Sequence, residues 1–440
     1  MKSKILYLPV ILFLLPEIII AQKVYSLNDC IGTGLEKNFS LLITKNSEAI
    51  AKNNFSLGNA GFLPSIDISG KQGGTLNNNT VNMSDGSQTI SKGQYSSNLS
   101  AGVNLGLTIF NGLNVQTTYK KLNELKQIGE LNTQLAIENL VADIISGYYN
   151  YIQQIQLLKN LQYAVTLSKE RLRIDEDRYL LGSSSKLQVL QSRVYLNSDS
   201  TNLSQQNEVV RATSIRLNEM MALENLGQQF VSKDSSIEVN NTLLYEKLLE
   251  ETLSNNTTIK ISAKNKTISE YDYKLVASHY YPYLNLSSGY NYSINSFKKS
   301  DTKSQITDGL NYGLTFGISL FDGFNQRRNI RNSSLSIETN ELRYRETEQG
   351  VKADLITFYS AYSNFLRLVT LEEQNLQTAT ENQEIAMERY KLGNLSGLEL
   401  REVQKSLLDA RESLLSVQYQ AKLAEISLFL ISGRIMDYYK

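Results

Sequence analysis

Few residues of this chain are placed to do chemistry. His279 is the only histidine and Cys30 the only cysteine, so any His-based relay or Cys–His pair would hang on one residue. His279 stands beside Tyr280 and Tyr281, a setting that suits an aromatic interfacial belt better than catalysis. A single cysteine excludes an intrachain disulfide and a cysteine-rich metal site. Cys30 follows Leu27-Asn-Asp rather than small residues, so it reads as a buried or idle thiol and not a lipid anchor. No phosphate loop, metal-ligand cluster or nucleophile–base set is present, and neither catalysis nor a cofactor is expected. What remains is a carboxylate pair, Glu399 and Glu402, whose three-residue spacing puts both on one helix face. Ser396-Gly-Leu-Glu399 is equally a capping box, and Glu402 reads equally as a solvated helix residue near Arg389 and Arg401.

The elements around them are of two kinds. From Leu99 to Ile109 apolar residues (alanine among them) alternate with Ser, Gly, Asn and Thr, the period of a strand with two unlike faces. The same pattern returns between Asn311 and Phe321. Each strand feeds a long proline-free stretch with heptad-like seams, as at Val141, Ile145, Tyr148, Ile152 and Ile155. Helical spacing is also predicted over 27–60 and 245–277, and polar loops over about 73–93 and 296–308. Gly182 and Gly393 end the long helices, and Ser185 and Ser396 restart them.

These elements occur twice. Phe110 matches Phe321, Asp143 matches Asp354, Tyr148 matches Tyr359 and Gly182 matches Gly393, all at a constant offset of 211. The prolines Pro64 and Pro282 stand where a helix hands over to a strand. Gly112 and Gly323 close the strands in Phe110-Asn-Gly and Phe321-Asp-Gly. The reading is an internal duplication. A first unit spans 22–226, with strand hairpin about 63–110 and helical hairpin about 113–223. A connector spans 227–244. The second unit spans 245–440, with hairpins at about 282–321 and 324–433.

Residues 1–21 read as a secretory signal, with a basic start, a short apolar run and Ala21 at the cut. Lysine plus arginine (44) equals aspartate plus glutamate (44), so no nucleic-acid partner is suggested. In an exported protein, strands with one apolar face suit an outer-membrane barrel, lipid outside and water inside. Four strands cannot close one, and open edges are not viable in hydrocarbon. Three chains would give twelve strands and an open lumen, which the small polar face favours. Twelve long helices would continue it as a tube.

The mature chain resembles the TolC-like family of outer-membrane efflux proteins. The duplicated layout carries the likeness, with the tip signature Arg-Tyr-x-x-Gly-x-x-Ser-x-Leu in both units. Its residues are Arg178, Tyr179, Gly182, Ser185 and Leu187, then Arg389, Tyr390, Gly393, Ser396 and Leu398. The resemblance implies a homotrimeric channel-tunnel. It would join an inner-membrane transporter of the RND, ABC or MFS type, through a periplasmic adaptor, to the exterior. The tips are where adaptor and gate are expected. Acidic rings follow the second tip in the family, which points to Glu399 and Glu402, six carboxylates under threefold symmetry. Such a ring would favour cations and raise carboxylate pKa values by like-charge repulsion. The first unit has Gln188 and Gln191 instead, and Leu395 stands where some members place a basic gate residue. Tyr390 either constricts the mouth or shares a packing role with Tyr179. A rival reading is an exported coiled-coil stalk or adhesin with a β head. The cargo is not legible, although the lack of histidine and methionine clusters argues against a dedicated metal exporter.

Overall fold

The computed structural model describes residues 24–298 and 302–439. The expected signal segment, 1–21, lies outside the described residues. The first half runs β1 (Val24–Tyr25), α1 (Leu27–Lys37), α2 (Phe39–Asn54), α3 (Leu57–Ala60), β2 (Ser65–Asn82), β3 (Gln88–Asn111), α4 (Asn114–Leu180) and α5 (Lys186–Met220). β4 (Val231–Ser232) lies in the connector. The second half runs α6 (Tyr245–Asn255), α7 (Thr257–Ser278), β5 (Tyr283–Lys298), β6 (Ser304–Gly317), α8 (Asn325–Lys391), α9 (Gly397–Ile431) and a 3-10 turn, Ile435–Tyr438.

α4 and α8 each hold 67 residues without a break, and α5 and α9 each hold 35. At ~1.5 Å per residue, the long pair reach about 100 Å. Every boundary of α8 and α9 lies 211 positions after its counterpart in α4 and α5. Both long helices start from the same device. Gly112 and Leu113 have φ of 64°, and Gly323 and Phe324 have 70° and 65°, two successive left-handed residues that swing the strand into the helix. The first turn is then held by Asn111 Oδ1, which accepts from Val115 N at 3.3 Å, and by Asp322 Oδ2, which accepts from Gln326 N at 2.7 Å. At Gly112 a side chain would also overlap the Ser278 carbonyl, whereas at Gly323 it would meet only Asn325 Nδ2 in ordinary contact at 3.7 Å.

The predicted helices 27–60 and 245–277 are each broken. Asn38 and Asn256 end one helix and cap the next, accepting from Leu41 N and Ile259 N at 3.1 Å. Their amide groups donate to the last carbonyls of α5 and α9, Met220 at 3.0 Å and Ile431 at 2.9 Å. One asparagine thus satisfies three backbone groups and pins a short helix to a long hairpin.

The sheet order is β2-β3-β5-β6, all neighbours antiparallel. Register pairs like with like: Val103 with Ile68 and Tyr290, Leu286 with Leu107 and Leu314, Ile294 with Leu99 and Ile306. One face is therefore apolar. On the other face asparagines lie over glycines of the next strand, Asn291 over Gly102 and Asn104 over Gly289, and Asn104 donates to Ser69 Oγ at 3.2 Å. The predicted loops are shorter than expected, because β2 and β3 stay paired out to Asn82 and Gln88 through segments where apolar residues are sparse. β6 ends at Gly317 and leaves Phe321 outside the sheet, whereas β3 runs to Asn111 because β5 pairs its last residues.

The core lies midway along the helices. Cys30, Ile145, Tyr148, Ile152, Leu217 and Phe230 form its centre. The connector belongs to it: Phe230 stacks on Tyr25 at 5.4 Å, and Tyr151 Oη donates to the Phe230 carbonyl at 2.5 Å. The matching Tyr362 in the second half donates to the Asn240 carbonyl.

Candidate functional site at the helical tips

Both tips are built by the same local rules. Beyond α4, Gly182 (φ 74°) takes a left-handed turn, and Ser183 N and Gly182 N return to the carbonyls of Arg178 and Tyr179 at 2.9 and 3.0 Å. Beyond α8, Gly393 (φ 83°) and Asn394 repeat those bonds at the same lengths, to Tyr390 and Arg389. This double closure satisfies terminal carbonyls and needs glycine at the turn. Ser185 and Ser396 then cap α5 and α9. Leu180, Leu181 and Leu187 at one tip, and Leu392 and Leu398 at the other, stand exposed.

The two caps differ. Ser396 and Glu399 form a full capping box, the Ser396 N–H donating to Glu399 Oε2 at 2.9 Å and Ser396 Oγ accepting from Glu399 N at 3.2 Å. Those bonds hold the Glu399 carboxyl below its ordinary pKa, with Arg389 adding a little. In the isolated chain this is opposite to the upward shift expected of a crowded acidic ring. At the first tip Ser185 Oγ accepts from Gln188 N at 3.3 Å, but the Gln188 side chain turns inward to Asp175 at 3.4 Å, so only half of such a box is formed. Glu402 is exposed one turn beyond Glu399.

Tyr390 does not face open space. It is 0 % exposed, its hydroxyl donates to Asp175, and its ring lies 4.7 Å beneath the Arg178 guanidinium, which also donates to the Tyr390 carbonyl. Burial first, then the Asp175 carboxylate, push its pKa up. Tyr179, its counterpart, is largely exposed. Of the two signature tyrosines, then, one locks the two hairpins together and the other does not. Arg389 donates to the Asn394 carbonyl of its own tip, at 3.5 Å.

Around Asp175 the structure assembles residues that the sequence had not singled out. Asp175 also accepts from Ser192 Oγ. Asp199 accepts from Ser168 Oγ and takes both Arg401 nitrogens at 2.8 Å. Arg171, 0 % exposed, donates to Gln404 Oε1 at 2.9 Å and to Ser168 Oγ at 3.4 Å. Tyr195 lies between Arg171 and Arg401, 4.9 and 5.2 Å from its ring centre. Burial and the neighbouring Arg401 lower the Arg171 pKa. Two buried acids, the buried Arg171 and the half-buried Arg401, from α4, α5 and α9, therefore stand together, with Tyr390 bringing in α8. The signal was present in the duplication. Ser168, Arg171, Asp175, Ser192 and Asp199 fall opposite Ala379, Asn382, Ala386, Val403 and Ala410 of the second half.

At the other end of the helices, Pro64 and Pro282 directly precede β2 and β5, as expected. Phe110 lies within β3, while Phe321 stacks edge-on against Phe324 at 5.3 Å. His279 caps α7 and is exposed beside Tyr280 and Tyr281. Among the described residues no three His, Cys, Asp or Glu side chains stand together as a metal-binding group, and no helix is long and apolar enough to cross a membrane.

A sheet with one lipid-compatible face on two unbroken helical hairpins defines an outer-membrane channel protein. The outer membrane efflux protein family model matches residues 31–223 and 248–434, and the chain belongs to that family. Its location is the outer membrane, with the helices forming a periplasmic tunnel. The rival stalk reading is set aside by this membership. Among curated proteins, outer membrane protein TolC of Vibrio cholerae is 26 % identical over 171 residues, covering 38 % of this chain and 37 % of that protein. The cation efflux system protein CusC of Escherichia coli is 21 % identical over 364 residues, covering 78 % and 76 %. Among solved structures, a membrane protein from Pseudomonas aeruginosa gives a TM-score of 0.76 at 14 % identity, covering 92 % of this chain and 90 % of that one. The outer membrane protein VceC from Vibrio cholerae gives 0.73 at 17 %, covering 92 % and 96 %.

Proposed function

We propose that three copies of this chain form a channel-tunnel with a twelve-stranded barrel in the outer membrane and a twelve-helix tube below it. In this reading each chain is a duplicated strand-and-helix unit. The tunnel passively conducts substrates handed over by an inner-membrane transporter of the RND, ABC or MFS type and a periplasmic adaptor, in a tripartite efflux or type I secretion system. The adaptor meets the tips at Leu180, Leu181, Leu187, Leu392 and Leu398. Glu399 and Glu402 of three copies surround the mouth, where six carboxylates favour cations.

The observation that carries this is the pair of unmatched sheet edges. β3 gains partners for its last residues from β5, Leu107 opposite Leu286 and Phe110 opposite Leu284. β6 has no such strand within the described residues. Applying the β3–β5 register to β6 and to β2 of the next copy sets Leu310 opposite Leu76, Ile318 opposite Ile68 and Phe321 opposite Ile66. Apolar meets apolar at each, and no edge is left in the hydrocarbon. The test is the mass and conductance of the purified protein. A detergent-stable, heat-dissociable trimer giving single-channel steps in a planar bilayer is expected. A monomer released by carbonate, giving no steps, would overturn the proposal.

A further inference from the structure

The long helices present two versions of one seam. Inside the chain, α4 packs against α7 and α9. Its stripe Glu124, Leu131, Glu138 and Ile145 is covered there: Lys264 Nζ lies 2.8 Å from Glu124, and Thr257 Oγ1 donates to Glu138 at 2.9 Å. Lys121 pairs with Asp272 further along, Asn160 donates to the Leu408 carbonyl at 3.2 Å, and Arg171 donates to Gln404. The same stripe on α8 is Leu335, Leu342, Gln349 and Ile356, one residue every seven, all exposed. Two other faces are similarly bare. α2 exposes Phe39 (71 %) and Ile43, and α5 exposes Val194, Val209 and Ile215. A groove of about 590 Å³ opens beside Phe39, lined by Asn38, Leu140, Asp143 and Arg216. The matching place beside Thr257 is closed by α4 through Glu138.

We infer that α8 of one copy packs against α2 and α5 of the next in the relation α4 holds to α7 and α9 within the chain. We infer further that this seam between copies has no ion pair at the positions where the internal one pairs Lys121 with Asp272 and Glu124 with Lys264. The inference rests on the trimeric reading and specifies its helical contact. Carrying each internal contact across by the offsets places Asn332 against Asn54, Leu335 against Asn46, Gln349 against Phe39, Leu371 against Asn197 and Asn382 against Arg193 of the next copy. None of these pairs opposes two charges, and Leu335 and Phe39 replace members of the internal Glu124–Lys264 and Glu138–Thr257 contacts.

The difference has a physical consequence. If α7 docked on α8 of another copy in place of its own α4, Lys264 would meet Leu335 and lose its carboxylate, and burying an unpaired charge is costly. If α2 docked through this exposed face on α4 of another copy, Phe39 would lie on Glu138. Each seam therefore rejects the other's partner, which favours a head-to-tail ring over exchange of helices between copies. A seam without ion pairs is also little affected by salt, whereas exposed ion pairs are screened.

The test transplants the internal pair. In full-length protein, Leu335→Glu and Asn46→Lys are made singly and together, and the trimer fraction is read by light scattering in detergent at low and high salt. Each single variant is expected to lose trimer at least tenfold, and the double variant to recover it in a salt-sensitive form. Helical circular dichroism should be unchanged throughout, since both sites are exposed in the single chain. As a second readout, Phe39→Cys with Gln349→Cys in a Cys30→Ala background should join copies through a short bis-maleimide. A trimeric wild type whose single variants remain trimeric, or whose double variant is no better than the worse single, overturns the seam alone. A monomeric wild type overturns the trimer and the seam together.

Discussion

The two helical tips share a backbone and differ in what they bury. Both turn at a left-handed glycine with the same pair of returning bonds, and both restart at a serine cap. Yet the first hairpin contributes Ser168, Arg171, Asp175, Ser192 and Asp199 to a buried polar network, while the second has Ala386 and Ala410 packed at the matching places. Helix ends are dictated by local backbone demands that any copy must meet. The interior between hairpins is free to diverge, and here it has become charged on one side only. Since Tyr390 of α8 and Arg401 of α9 reach into the network of the first hairpin, the divergence ties the two halves of the chain together.

That comparison can be broken most sharply at Arg171. Arg171→Ala leaves Gln404 Oε1 without its donor and removes a cation buried beside Asp175 and Asp199, and removing one member of a buried charge set typically costs about 3–5 kcal/mol. Asn382→Ala, the exposed counterpart, should stay within ~0.5 kcal/mol, as surface changes do. Thermal unfolding followed by circular dichroism reads both. Tyr390→Phe removes a donor from buried Asp175 and should cost about 1–3 kcal/mol, against almost nothing for Tyr179→Phe. Equal effects at the two tyrosines would mean that the tips are equivalent after all.

The caps offer a finer contrast. Ser396→Ala should destabilise by about 1 kcal/mol or somewhat more, and Ser185→Ala by less, because only the former dismantles a complete box. The Glu399 side of that box is pH-dependent. Its carboxyl titrates below its ordinary value of 4.5 in the folded chain, so its contribution is whole above that value and is lost as pH falls through the lowered one. Hydrogen exchange at the start of α9 should accelerate over that acidic range and stay flat at the start of α5. The smallest expected effect is on selectivity: Glu399→Ala with Glu402→Ala should lower the cation-to-anion permeability ratio a few-fold. An unchanged ratio rules out the ring.

How far the sequence spoke depended on whether a residue's surroundings were local. The 67-residue helices and their glycine turns were legible because period and caps are written along the chain. So were the strands, wherever one face is apolar. Between 73 and 93 apolar residues are too sparse for an alternation to show, and paired strand was read as loop. Asn38 and Asn256 escaped notice because the apolar period continues across them, and only the distant carbonyls of Met220 and Ile431 explain the break. The Arg171 network was hidden for a related reason. Charged residues on a helix read as solvated until a second helix is known to cover them, although comparison with Ala386 and Ala410 would have exposed the asymmetry.

The central claim is that the sheet of one copy is completed by the next. In a Cys30→Ala background, Ile318→Cys and Ile68→Cys place thiols at one predicted pair between β2 and the segment that follows β6. Mild oxidation in intact membranes, read on a denaturing gel, is expected to yield a covalent trimer from the double variant and none from either single one. A double variant that stays monomeric, while the same oxidation joins cysteines placed at the internal pair Leu107 and Leu286, would contradict the account.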